Sequence, residues 1–325
     1  MQDAGFRRNQ ETCVSRAQAI LLLTASRFLR PDSSEVPMDL KHIVVLALQV
    51  SIVATVFGFG LKAAPSDVWY VVRRPRLFLR SLLAVFVIMP FLAVVLVRAF
   101  DFRPTVEIAL VSLALSPVPP LLPSKEAKAG GHAAFHAFIV GLTAWLGLVA
   151  IVAEPLMLRL LEWISGRPLA IAPMAIATVV LKTVLLPLAA GMIVHRVSPA
   201  FADRAAVIAA RIGRILLYPS ALLLLIASMP AIMPLIGQGT LLAMVVFVAA
   251  GLAIGHVLGG PNPDHAAVLA LATASRHPAL ALTVAVANFP GERFIGAILL
   301  YVLVNAALAI PYLTWQRHAM ATHAA

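Results

Sequence analysis

The residues best suited to chemistry lie in the stretch TASRHPALAL, where a guanidinium, an imidazole and two hydroxyls occur close together. Thr273, Ser275, Arg276 and His277 supply hydrogen-bond donors and acceptors, and Pro278 follows directly. Arginine binds a carboxylate or a sulfate through two parallel N–H donors. Imidazole exchanges a proton near neutral pH, at about pH 6.5. This combination indicates binding of an anion, with His277 as a candidate for proton coupling.

Arg276 is the only formally charged residue in the apolar run 266–289, and Lys182 is the other basic residue within such a run. An ionised side chain inside a bilayer costs about 2.5–3.5 kcal/mol, so it usually faces a cavity or a partner. We interpret Lys182 as a long stem that reaches polar groups of the bundle. For Arg276 two interpretations stay open, a functional residue or a buried arginine that is satisfied by freed backbone carbonyls.

Pro278 predicts that the helix breaks at Arg276, because proline lacks an N–H and disfavours helical geometry at the residue before it. A second break is predicted in SPVPPLLPSKEAKAGG (116–131), which contains Ser116, Pro117, Pro119 and Pro120. Taken alone, this segment also fits a helix end that is followed by a polar loop. Two interrupted spans, one in each half of the chain, indicate the binding site of a transporter built from inverted repeats.

The elements that position these residues are predicted to be membrane-spanning helices. The chain is 61% hydrophobic and 12% charged, far from the composition of soluble domains. The run 215–263 contains no Asp, Glu, Lys or Arg and is more than twice the roughly 20 residues of one crossing. We predict an all-α integral membrane protein with about nine transmembrane helices, at 41–62, 77–99, 105–124, 132–160, 169–195, 206–229, 238–259, 265–289 and 293–316.

Several classes of function lack support in the sequence. There is one cysteine, Cys13, and we find no metal-ligand cluster, catalytic triad or phosphate-binding loop. The net charge of +11 comes from basic residues between apolar segments, which suits lipid headgroups rather than nucleic acid. We therefore expect no enzyme, no cofactor, no metal site and no nucleic-acid partner. Glu107, Glu154, His136, Asn288 and Asn305 are interpreted as residues that make hydrogen bonds between helices.

The distribution of basic residues predicts the topology. One set of alternate loops and the C-terminus carry twelve of the 25 Lys and Arg residues, among them Arg73, Arg74, Arg76 and Arg80, against five in the other loops, and the positive-inside rule places the first side in the cytoplasm. The C-terminus then lies inside and the N-terminus outside, although the basic charge of the tail 1–37 opposes this. We expect that Met38 is the true start and that 1–37 is not part of the native chain. The transporter domain would be 38–325, with repeats at about 38–165 and 166–325.

Three segments together resemble the bile acid:sodium symporter family. They are FGFGLKAAPSDVWYVVRRPRLFLRSLLAVFVIMPFLA (57–93), the proline-broken third helix, and ALATASRHPALALTVAVANF (270–289). The resemblance covers the chain from Met38 onward and suggests a divergent bacterial member. It implies two inverted repeats that form a panel domain and a core domain, with two broken helices that cross in the core. The break at Ser116 would then lie near the break at Arg276.

The resemblance fails at the positions that hold sodium in the family. Leu122 and Pro123 stand where relatives have Ser-Asn, Ala272 stands for a glutamate, and Val85 stands for a glutamine. Arg276 falls within the run where relatives bind the ion, and its charge repels a cation. We expect a sodium-independent transporter of a small organic anion or amphipathic acid in the bacterial inner membrane, with proton coupling through His277 as an open alternative. The alternative is a sensor or channel-like membrane protein that retains the symporter fold.

Overall fold

Helices make up the regular structure of the described part of the chain. The computed structural model describes residues 38–117, 133–165, 173–237, 239–289 and 294–324. Its helices are α1 (Met38–Gly60), α2 (Pro75–Ala99), α3 (Pro104–Ala114), α4 (Ala133–Ser165), α5 (Pro173–Val197), α6 (Pro199–Leu235), α7 (Thr240–Gly259), α8 (Pro263–Ala274), α9 (Pro278–Asn288) and α10 (Ile295–Ala324). One further helical turn, Pro65–Val68, precedes α2. The helical membrane fold predicted from the sequence is confirmed.

The count of nine spans is not confirmed. Seven helical segments in the described residues are long and apolar enough to cross a membrane, with α8 and α9 together forming one of them. The helices α1 and α3 are where the other two spans were predicted, and their described apolar parts, Leu46–Gly60 and Pro104–Ala114, are shorter. The prolines beyond Pro117 in the third predicted helix lie outside the described residues.

Prolines set both the beginnings and the irregularities of these helices. A proline occupies one of the first two positions of α3, α5, α6, α8 and α9, where no intrahelical N–H is needed. Inside α2 and α5, the segments Leu83–Ile88 and Leu181–Leu185 are π-helical and each lies just before a proline, Pro90 or Pro187. Both segments widen the helix where the proline cannot donate.

The helices pack in two groups. α1 packs against α5 and α6, and these three form one group. α7 packs most extensively against α8 and also contacts α10 and α2, in the second group. α4 packs against α8 and so belongs to the second group. α5 touches α4, and α6 touches α10, so these two helices join the groups.

Small residues bring α7 and α8 close together. Gly251, Gly255 and Gly259 follow one another at intervals of four along one face of α7. A Cβ at Gly251 would lie 2.8 Å from Cα of Ala274, and the next two glycines meet Ala270 and Ala266 in the same way. This is the spacing that lets membrane helices approach backbone to backbone. The end of α8, next to Arg276, is therefore held firmly against α7.

Contacts near the helix ends link segments that lie at the same end of the bundle. At one end, His195 hydrogen bonds to the Leu61 carbonyl, and Gln316 donates to the Pro263 carbonyl. At the other end, Phe102 approaches Gly239, which adopts a left-handed φ of 81° at the turn between α6 and α7. Gly239 lies at the edge of the gap between the predicted spans 206–229 and 238–259, whereas Pro230 and Pro234 lie within α6.

Candidate functional site

The break between α8 and α9 lies at Ser275, Arg276 and His277, as predicted. Tyr301 of α10 bridges it with a single hydroxyl group. This hydroxyl accepts a hydrogen bond of 2.6 Å from the Arg276 backbone N–H and donates one of 2.7 Å to the Ala274 carbonyl. This satisfies the Arg276 N–H, which the break leaves without a helical acceptor, and the Ala274 carbonyl, whose helical partner would be Pro278, which has no N–H.

Ser116, just after the end of α3, contacts the break between α8 and α9 directly. The His277 backbone N–H donates to the Ser116 carbonyl at 2.9 Å, and α9 packs against α3. Ser116 and Pro117 are both buried, and the Ser116 hydroxyl donates to the Ser112 carbonyl at 2.7 Å. The predicted proximity of the two breaks is present in the structure. Pro119 and Pro120 lie outside the described residues.

The guanidinium of Arg276 binds backbone carbonyls of two other helices, α2 and α3. Its Nη1 donates to the Val85 carbonyl at 3.2 Å and to the Ala114 carbonyl at 3.4 Å. Ala114 ends α3, where the last carbonyls have no helical partner and the helix dipole is negative. In the π segment of α2, the Met89 N–H bonds to Ala84, so the next carbonyl, that of Val85, falls opposite Pro90, which cannot donate. Arg276 therefore binds two carbonyls that the helices themselves leave free.

Two donor groups of Arg276 remain. The side chain is 2% exposed, and its Nε and Nη2 atoms have no hydrogen-bond partner in the structure. Burial of an unpaired donor costs about 1–3 kcal/mol, and more for a charged group. Nε and one Nη atom are a donor pair with which arginine can bind a carboxylate or sulfate side by side. The arrangement is suited to bind an oxyanion.

His277 is fully buried and acts as the N-cap of α9. Its Nδ1 accepts from the Leu280 backbone N–H at 3.2 Å, so this nitrogen carries no proton in that arrangement. Its Nε2 lies 3.3 Å from the Thr183 hydroxyl, which donates to the Val179 carbonyl. The geometry favours the neutral tautomer with the proton on Nε2, because a proton on Nδ1 would displace the cap.

The remaining predicted site residues have different environments. Ser275 is half-buried, and its hydroxyl oxygen accepts from Asn305 Nδ2 at 3.2 Å. The Thr273 hydroxyl is buried and unpaired. Pro278 begins α9 as its first residue. Lys182 is exposed, contrary to its interpretation as a side chain that reaches polar groups of the bundle, and so it is not part of this cluster.

The described residues at the family's sodium positions do not fit a sodium ion. Val85 and Ala272 are buried and offer no side-chain oxygen, and the Val85 carbonyl is bound by Arg276. Sodium requires several hard oxygen ligands, and a guanidinium beside them is repulsive. Leu122 and Pro123 lie outside the described residues. Within the described segments, no group of three His, Cys, Asp or Glu side chains is arranged to hold a metal ion.

Two residues of the site were missed or given a lesser role in the sequence analysis. Tyr301 gave no signal, because a tyrosine in an apolar helix is unremarkable until its hydroxyl is placed against Arg276. Glu154 was interpreted as a residue that bonds to another helix, yet both of its carboxylate oxygens are buried without a hydrogen-bond partner. Its charge interacts with that of Arg276. The sequence did contain a signal for this pair, namely an acidic residue inside one predicted span and a basic residue inside another.

Comparison with known proteins gives one family. Residues 49–229, more than half of the chain, match the Sodium Bile acid symporter family, whose members are membrane transporters rather than enzymes. No curated protein matches the chain. The family implies a small-molecule substrate and contact with membrane lipid. Together, the matched region and the apolar helices lead to one conclusion: the chain is a multi-pass membrane protein that belongs to the Sodium Bile acid symporter family.

Proposed function

We propose that the chain is a secondary transporter of a small organic anion or amphipathic acid and that Arg276 binds the anionic group of the substrate. The observation that carries the proposal is the pair of unpartnered donors, Nε and Nη2, on a buried guanidinium where two broken helices meet. Transport works by alternating access, because the site is closed to water in this conformation and the substrate must enter and leave it. The Arg276 guanidinium gives the site a fixed positive charge.

We further propose that transport does not need sodium and is coupled to protons. The absence of side-chain oxygens at Val85 and Ala272, together with the charge of Arg276, supports sodium independence. His277 is the candidate for proton coupling. Because its Nδ1 caps α9, protonation of this nitrogen would disrupt the start of that helix. The protein would lie in the bacterial inner membrane with its C-terminus in the cytoplasm, as the basic loops favour.

The test compares anion binding by the protein and by an Arg276→Gln variant. The probes are naphthalene-2-carboxylate and naphthalene-2-sulfonate, which share an apolar body and differ in the anionic group. We expect both to bind the unmodified protein in detergent and the variant to lose affinity by about 100-fold, the equivalent of two charge-assisted hydrogen bonds. Lys182→Gln is the matched control, since it removes the other basic residue of the spans without touching the crossing.

Equal affinity of the Arg276→Gln and unmodified proteins would refute the site. The same titrations in sodium chloride and in choline chloride test the coupling ion. Equal affinity in the two salts is expected, and a requirement for sodium would overturn the sodium-independent proposal.

A sensor or channel-like protein is the second candidate. It is favoured by the same missing oxygens at Val85 and Ala272, because a protein without a coupling ion need not perform active transport. Anion binding alone does not separate the two candidates, whereas flux into sealed vesicles does.

A further inference from the structure

A buried carboxyl group lies beside the anion site. Glu154 is on α4, is 0% exposed, and shares a helical face with Ala150 and Leu158. These neighbours pack in an apolar cluster with Val180 of α5 and Leu280 of α9. Neither oxygen of Glu154 has a hydrogen-bond partner. A carboxylate in such a place is costly unless an opposite charge is near or a proton neutralises it.

Arg276 supplies the opposite charge. The two groups interact electrostatically but share no hydrogen bond. Within the described residues, Arg276 is the one charged group that acts on Glu154. Other charged or titratable groups on α4, on α10 and on the elements packed against them are exposed, engaged elsewhere or nearer the ends of the bundle: Asp67, His136, Arg159, Glu162, Lys182, Asp264, His265, His277 and Tyr301.

The charge balance of this pair changes when a substrate anion arrives. With an ionised Glu154 and Arg276, the site is neutral. An added anion on Nε and Nη2 leaves one uncompensated negative charge in a region that excludes water, where such a charge is strongly unfavourable. Uptake of one proton by Glu154 restores neutrality.

We propose that Glu154 is the proton-accepting counter-ion of Arg276, so that one proton binds to its carboxylate for each substrate anion that binds to Nε and Nη2. The new O–H bond forms on a Glu154 oxygen with a proton from water, and the same bond ionises when the anion leaves. Arg276 stays charged throughout. The inference rests on the proposed function, since it requires the anion to bind at Arg276, and it assigns the proton coupling to Glu154 instead of His277.

The experiment measures proton uptake on anion binding to the full chain in detergent. Naphthalene-2-sulfonate is the probe because it stays ionised over the whole pH range, so any pH dependence belongs to the protein. In weakly buffered solution with an indicator dye, we expect about one proton taken up per sulfonate bound. The affinity should rise by up to about tenfold for each unit by which the pH falls, as linkage requires for one proton.

The informative variant is Glu154→Gln, with Glu162→Gln on the same helix as the matched control. We expect Glu154→Gln to bind the sulfonate without proton uptake and with an affinity that does not change with pH. Glu162→Gln and the unmodified protein should both take up the proton. Proton uptake that persists in Glu154→Gln, or that is lost in Glu162→Gln, would overturn the assignment.

The outcomes distinguish failure of the Glu154 assignment from failure of the proposed function. Sulfonate binding without proton uptake by the unmodified protein would refute the role of Glu154 and leave the proposed function intact. Absence of any sulfonate binding would overturn both. If Glu154→Gln does not fold, infrared difference spectra of the unmodified protein decide the question. The sulfonate should induce the carbonyl stretch of a protonated carboxylic acid, and no such band would refute the inference.

Discussion

The side chain of Arg276 donates its hydrogen bonds to backbone carbonyls rather than to acidic side chains. Two carbonyls accept from Nη1, and the other donors stay open. An arginine that only completed the fold would pair most of its five donors. The guanidinium is thus held in position through Nη1, while Nε and Nη2 are buried without hydrogen-bond partners. This is the condition for a residue that must bind and release an anion.

Tyr301→Phe tests how much the Tyr301 hydroxyl stabilises the break between α8 and α9. Loss of the hydroxyl leaves the Arg276 N–H and the Ala274 carbonyl buried without partners, at about 1–3 kcal/mol each. We expect the variant to unfold more easily in a dodecyl sulfate titration, with a loss of about 2–4 kcal/mol. The matched control, Tyr218→Phe, removes a hydroxyl from a tyrosine that is 52% exposed, and a smaller loss is expected there. Similar losses in both variants would show that the bridge contributes little.

The residues of the site were predictable to different degrees. Arg276, His277 and Ser116 could be selected because a charge or a proline in an apolar run violates the local pattern. Tyr301 and Glu154 could not be assigned their roles, because each meets Arg276 only through tertiary packing between distant segments. The hydrogen bond from Arg276 to the Val85 carbonyl was also beyond prediction, since no side-chain pattern reports which backbone carbonyl is free.

At the level of elements, proline has two distinct effects. Pro278 ends one helix and begins another, which the sequence alone predicted. Pro90 leaves α2 continuous and converts Leu83–Ile88 to a π-helix, which was not predicted. The difference arises because a proline within a helix can be accommodated by widening the turn before it. In α2 the result is a free Val85 carbonyl, which accepts a hydrogen bond from Arg276.

Pro90→Ala is predicted to weaken the anion site through this element. Alanine restores an N–H that competes with Arg276 for the Val85 carbonyl, so the guanidinium loses one of its two fixed contacts. We expect α2 to become no less stable and the affinity for naphthalene-2-sulfonate to fall by about tenfold, which corresponds to one hydrogen bond to a charged group. Pro187→Ala is the matched control, as it restores an N–H at the other π segment, which does not bond to Arg276. If Pro90→Ala binds the sulfonate with unchanged affinity, the π segment does not contribute to anion binding.

The whole molecule unites two groups of helices around this crossing. Composition and charge fixed the membrane class in advance, and the predicted helix bounds agree with the structure to within a few residues at most ends. The grouping of α1 with α5 and α6 was not predicted, because hydropathy alone does not say which apolar faces pack together. Since α5 touches both groups and Thr183 of α5 contacts His277, relative motion of the groups would act directly on the break.

Flux into sealed proteoliposomes distinguishes a transporter from a channel-like protein. Naphthalene-2-sulfonate crosses lipid poorly because it remains charged, so its uptake reports the protein. With one proton carried per anion, an acidic exterior should drive accumulation above the external concentration. A protonophore should abolish this accumulation, and a sodium gradient should have no effect. The Arg276→Gln protein is the control and should show no uptake.

The response of this flux to voltage makes the test sharper. Movement of an anion together with a proton carries no net charge, so a membrane potential should leave the rate of uptake nearly unchanged. A channel that passes the anion alone would instead follow the potential, which is worth about 2.3 kcal/mol per elementary charge for each 100 mV. Accumulation that is driven by the pH difference and insensitive to voltage is therefore the outcome expected of a neutral Arg276–Glu154 site. Purely downhill flux that follows the voltage would instead identify a channel.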